Sequence, residues 1–258
     1  MFNPVWNRPV KESDRSLDPL GMNRVTDRML NDLLSGITTV TPRARYFSFY
    51  TWAVSEIAKS GRANSYSQFC SQFRDLERAF MLACVAHEQE SSSRRLSHMN
   101  INGSEKGRRV WRESDSSIPL QFSYFGNRLG GYGQYYRGSI SNLGLITLPE
   151  EAAYEHATDL GLKVAEAFHG ITKHVDLAHD IVNRKTVTKK TLLQLGKKAC
   201  LCRLRDADSR DRDILRGLFF GTLPEMTLDS YTLRRRKSLA LILLCSEFAA
   251  QVGVSISD

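Results

Sequence analysis

The chain has 258 residues, 41% of them hydrophobic and 25% charged. That balance fits a soluble globular protein of one large or two small domains and excludes a disordered chain. The net charge of +8 suits a polyanionic partner such as nucleic acid.

The excess charge is uneven. Residues 1–180 carry 21 Lys and Arg against 20 Asp and Glu, whereas residues 181–258 carry 15 against 8. Five cysteines, at 70, 84, 200, 202 and 245, fall inside apolar helical patterns without a paired framework, which points to reduced thiols and a cytoplasmic protein. The N-terminus, MFNPVWNRPVKESDR, lacks the apolar centre of a signal peptide, and the longest apolar run, Leu239–Cys245, is too short to span a bilayer.

In chain order, residues 1–22 hold three of the seven prolines and are expected to form an irregular arm. Asn23–Leu34 has an amphipathic pattern, with Val25, Met29, Leu30, Leu33 and Leu34 on one side and Gly36 as its stop. Thr41-Pro42 is a start signal for a helix that ends at Gly61, and its aromatics Tyr46, Phe49 and Tyr50 read as core. Arg43 and Arg45 are expected to face solvent or a neighbouring helix. Ser65 and Gln68 form a capping-box pattern before a long helix from Tyr66 to about Glu90, with Phe69, Phe73, Leu76, Phe80 and Cys84 on one face. These two helices predict an antiparallel pair. Residues 91–117 are rich in serine and charge with little periodicity, and predict an exposed basic linker that presents Arg108 and Arg109.

Ile118–Phe125 is apolar and fits either a strand or a helix. Gly126, Gly130, Gly131 and Gly133 then precede a helical segment, Tyr132–Asn142. A glycine-rich loop opening a helix can bind phosphate, but this spacing matches neither the phosphate-loop nor the dinucleotide fingerprint. After that segment, Gly144 is a turn, Leu145, Ile146 and Leu148 are strand-like, and Pro149-Glu150-Glu151 is a tight turn. A second extended run covers Ala153–Ala157, and Thr158-Asp159 opens another helix through Leu160, Val164, Ala167 and Phe168.

Helix, strand, wing, strand and helix in this order resemble the back half of a winged helix-turn-helix. The resemblance covers about 40 residues within a module placed at 118–170. It implies that residues 132–142 form a recognition helix able to enter a DNA groove, with Gln134, Tyr135, Arg137, Ser139 and Asn142 as candidate contacts. Winged helices also pack on proteins. Beyond Gly170 the pattern is helical and basic. Lys189–Arg205 alternates leucine with lysine, Asp211–Phe220 is amphipathic, and Leu228–Val252 is the last helix. Arg234, Arg235, Arg236 and Lys237 lie in its first turns, where cations oppose the helix dipole unless an anion is near, and they are candidate phosphate contacts.

No catalytic motif is evident. His169, His174 and His179 cannot converge on one metal along an unbroken helix, and Cys200 and Cys202 would face different sides of one. No metal or other cofactor is assigned. Asp206, Asp208, Asp211 and Asp213 alternate with arginines as a solvated, salt-paired segment would. A second pattern, Arg45-Tyr46-x-Ser48-Phe49-Tyr50-x-Trp52 with Gly131-Tyr132-Gly133-Gln134-Tyr135-Tyr136, resembles uncharacterised bacterial proteins of multi-protein defence systems. The sequence thus predicts a mainly α protein: an N-terminal helical region (1–90), the linker, the winged-helix-like module with its small β-hairpin, and a basic C-terminal helical region (171–258). The expected function is binding of nucleic acid, double-stranded DNA first, without catalysis. The alternative is a helical scaffold subunit, in contact with protein partners or with copies of itself.

Overall fold

The structure, a computed structural model, describes residues 22–90, 98–148, 153–172 and 185–253. It is mainly helical. The helices are α1 (Met22–Leu33), α2 (Arg45–Ser60), α3 (Tyr66–Glu90), α4 (Ser104–Glu113), α5 (Arg137–Asn142), α6 (Asp159–Thr172), α7 (Lys189–Ala199), α8 (Arg210–Phe220) and α9 (Ser230–Gln251). A π-helical turn, Tyr132–Tyr136, leads into α5, and a 3-10 turn, Leu201–Arg205, follows α7. Two antiparallel pairs of short strands complete the described chain: β1 (Ser117–Pro119) with β4 (Thr186–Thr188), and β2 (Ile146–Thr147) with β3 (His156–Ala157). No helix among the described residues is long and apolar enough to cross a membrane.

Helix α2 is the axis of the core. Its aromatic residues recur on every side, so burial on one face alone would leave rings in water. The fold instead surrounds it with α3, α6, α8 and the π-helical turn. Phe49 stacks on Phe80 of α3 at 3.9 Å, Phe47 meets Phe219 of α8 at 5.2 Å, and Tyr46 meets Tyr136 at 5.0 Å. Residues from all four sequence regions join one continuous apolar core that runs from Tyr46 to Leu218.

Several local signals act as expected. Gly61 and Gly221 end α2 and α8 in the left-handed conformation. The Ser65 hydroxyl accepts from the Gln68 amide at 3.3 Å, and Gln68 Oε1 accepts from the Asn64 amide at 2.7 Å. Other expectations need correction. The Thr41 side chain caps no helix; it exchanges hydrogen bonds with Thr38, and α2 starts only at Arg45. The α1 stripe exists, but Val25, Met29 and Leu33 are exposed, because among the described residues α9 is the only helix that lies against α1 extensively. Helix α2 packs more closely on α6 than on α3, while α3 packs chiefly on α7.

Residues 91–117 are not one exposed linker. Residues 91–97 lie outside the described residues, but 104–113 form α4, which packs on α3. Gly107 is buried against Met81, where any β-carbon would collide with its sulfur, so close approach rather than a wide apolar stripe seats α4. Ile118 sits at the centre of β1, and β1 pairs with residues nearly seventy positions later, with Ile118 opposite Val187. The proline-rich arm, the wing tip at 149–152 and both His174 and His179 lie outside the described residues.

Candidate functional site

The proposed recognition segment is set in place by one buried acid. Glu77 of α3 is fully buried, accepts from Tyr50 Oη at 2.6 Å and is also bonded by Tyr124 Oη. Its carboxylate takes the Tyr132 amide at 3.1 Å and the Gly131 amide at 3.3 Å, two of the otherwise unpaired donors at the start of the helical segment. Burial raises the Glu77 carboxyl above its ordinary range, although these donors pull it back. Gly130 has φ +64°, and a β-carbon there would fall on Glu77 Oε2. Gly130 therefore lets the chain close on an internal carboxylate, Gly131 and Gly133 pack against Asn102 and Asn127, and the Gly131 and Tyr132 amides a phosphate would use are occupied.

The segment itself is half embedded. Tyr132, Tyr136, Ser139 and Ile140 are buried. Gln134, Gly138 and Asn142, spaced four apart, face solvent, with Tyr135 and Arg137 at the margins. Arg137 is paired with buried Glu155 beside β3, so its guanidinium is held by protein. Ser139 is buried and has no access to a groove, so it is not a DNA contact. The hairpin follows as expected: Gly144 turns the chain at φ +71°, β2 pairs with β3, and the Thr158 hydroxyl accepts from the Gly161 amide at 3.0 Å to cap α6.

The surface beside this segment carries three carboxylates. A cleft of about 470 Å³ next to Asn142 is lined by Asp159, Glu225 and Asp229 together with Arg235, and Glu225 is paired with Lys163. The four consecutive cations divide into two kinds. Arg235 is 2% exposed and donates to the carbonyls of Phe219, Leu218 and Ser35 at 2.8, 3.3 and 3.0 Å. Arg236 donates to Phe220 O and Gly221 O at 2.7 and 2.5 Å. Both thus serve the C-terminal, negative end of α8, which offsets their unfavourable place at the start of α9. They are not open phosphate contacts. Arg234, stacked over Tyr231 at 5.3 Å, and Lys237 are exposed. Of the earlier pair, Arg108 is clasped by Glu88 through bonds of 2.8 and 3.1 Å, while Arg109 is more open, 4.0 Å from Glu113.

Sequence patterns missed two buried polar groups. Arg45 is 1% exposed and binds Asp211 through Nε at 3.0 Å and Nη2 at 2.7 Å. Its Nη1 reaches Cys200 O at 2.7 Å, and Ser48 Oγ also donates to Asp211 at 2.8 Å. Asp211 therefore belongs to the interior, not to a solvated segment. Its arginine alternation concealed this, because the partner lies on α2. The second group comprises His87, His98, Cys200 and Cys202, whose donor atoms all lie within 4.8 Å of one another. Cys200 is extended (φ −53°, ψ 146°) and Cys202 lies in the following 3-10 turn, so the two thiols do not diverge as they would on one helix.

A contiguous apolar surface remains. Leu241, Leu244 and Phe248, spaced three and four along α9, are 62%, 63% and 65% exposed. Ile242 and Leu243 are exposed on other sides of the same helix, and Val252, just past its end, continues the line of Phe248. Comparison with protein-family models, curated proteins and solved structures finds no match for this chain.

Proposed function

We propose that this chain is a structural subunit that assembles with a second copy of itself through the C-terminal half of α9. The exposed Leu241, Leu244 and Phe248 stripe carries the proposal. A helix that is apolar on all sides belongs inside a core or an interface. Its six exposed side chains offer several hundred Å², against about 800 Å² per partner in a stable interface.

Charge supports a second copy as the occupant. Glu247 is the single charged residue from Leu239 to Val252, whereas Arg234 and Lys237 are exposed near the start of α9. An antiparallel pairing of two α9 helices with its twofold axis at Ile242 puts each Glu247 opposite the other copy's Lys237, and such a twofold contact closes on itself. The resemblance to bacterial proteins of multi-protein defence systems supports a scaffold role. Analytical ultracentrifugation of the full chain should show a dimer at micromolar concentration. Leu244→Glu and Phe248→Glu should give monomers with unchanged circular dichroism. Glu247→Lys should weaken the dimer, and adding Lys237→Glu should restore it. A wild-type chain that stays monomeric at tens of micromolar, or a dimer indifferent to all these changes, would refute the proposal.

Binding of double-stranded DNA is the second reading. It is favoured by the exposed Gln134 and Asn142 side ahead of the hairpin, which fits the winged-helix resemblance, and by Arg234, Lys237 and Arg109 on the surface. The three carboxylates of the cleft at Asn142 weigh against it. If phosphates are neutralised, log affinity should fall steeply with log salt. No retention on a DNA duplex at low salt would remove this reading.

A further inference from the structure

The four side chains His87, His98, Cys200 and Cys202 come from three separate parts of the chain: the last turn of α3, the segment before α4, and the junction after α7. His98 Nε2 is 3.3 Å from His87 Nδ1, and Cys202 Sγ is 3.4 Å from the same nitrogen. A tetrahedral zinc with bonds of about 2.0–2.1 Å to nitrogen and 2.3 Å to sulfur separates two nitrogens by about 3.3 Å and a nitrogen from a sulfur by about 3.6 Å. The observed spacings have the size of those tetrahedral edges. His98 and Cys200 are buried and Cys202 is half-buried.

We propose that His87, His98, Cys200 and Cys202 form a structural zinc site. Two imidazoles and two thiolates are a donor set suited to zinc, and a divalent ion with two thiolates is neutral overall, which lessens the cost of burial. Binding releases the thiol protons, so the Zn–S bonds replace S–H bonds and no redox step is involved. With four protein donors the coordination sphere is closed, as in structural rather than catalytic sites. The ion would tie the end of α3 to the segment entering α4 and to the α7–3-10 junction. Cys84, within hydrogen-bond reach of Cys200, lies outside the donor set.

The full-length chain, purified without chelator, should carry one zinc ion per chain by mass spectrometry of the metal after gel filtration. Cobalt(II) exchange should give intense tetrahedral bands in the red and a thiolate-to-cobalt band in the near ultraviolet. Stripping the ion with a strong chelator should lower the melting temperature, and zinc alone should restore it. Cys202→Ser, at the half-buried position, should lose most of the metal, while Cys245→Ser and Cys84→Ser keep it. A folded chain that holds neither zinc nor cobalt overturns the proposal, as does a cobalt spectrum without the thiolate band. So does loss of the ion in Cys84→Ser with retention in Cys202→Ser.

Discussion

Asp211 shows how a single residue's surroundings decide its role. Burial alone raises its carboxyl, but the Arg45 guanidinium, aided by Ser209 and Ser48, outweighs that and holds it below its ordinary value of 3.8. Because the folded state binds this proton less tightly than the unfolded chain, the stabilisation is complete above that value. It is lost as pH falls through the lower folded value. Asp211→Asn leaves a buried guanidinium without its anion and should cost about 3–5 kcal/mol in urea unfolding at neutral pH. The same variant should lose less stability than the wild type when the pH is lowered below about 4, since the titrating group is gone. A variant as stable as the wild type at neutral pH would show that the pair contributes nothing. Glu77 is the opposite case: its carboxyl is raised, so its ionised form is the costly one, and the amides and hydroxyls around it limit that cost.

At the level of elements, the junction between α8 and α9 separates cations that hold the fold from cations that face outward. Asp229 caps α9 by accepting from the Thr232 amide at 2.7 Å, and Arg235, six residues on, reaches back to the carbonyls of α8. Arg235→Ala should lower stability by about 2 kcal/mol or more, because buried carbonyls lose charged donors. Arg234→Ala should change stability by less than about 0.5 kcal/mol, as exposed substitutions do. Thermal melts of the two variants side by side test this, and equal losses would contradict it. Helix α4 shows why composition misled. It contributes only Val110 and Trp111 as partly buried hydrophobics, and its seat depends on Gly107 against Met81 and on Arg108 with Glu88. Neither partner lies near it in sequence, so the contacts that seat the helix cannot be read from its own residues.

For the molecule as a whole, one core joins regions that the sequence divides into four. Trp52 lies inside that core, while Trp111 sits on α4 within the supposed linker. Unfolding followed by fluorescence of single-tryptophan variants and by circular dichroism should therefore give coincident transitions. Two separated midpoints would mean that α4 and its surroundings melt independently of the α2 core.

What the sequence determined by itself is whatever depends on near neighbours. The helical spacing of α2, α3, α6 and α8, the glycine stops at 61, 144 and 221, the hairpin after α5 and the buried aromatics of α2 were all legible, because each follows from local backbone preference and apolar period. Tertiary structure decided the polar sites. Arg45 with Asp211, Arg235 with the end of α8, Glu77 with the Gly131 and Tyr132 amides, and two histidines with two cysteines all join parts of the chain distant in sequence or in separate elements. Charge in a sequence does not show whether its partner is water or protein. Only the packing of α2, α3, α8 and α9 settles which cations are already bound and which apolar helix is left facing outward.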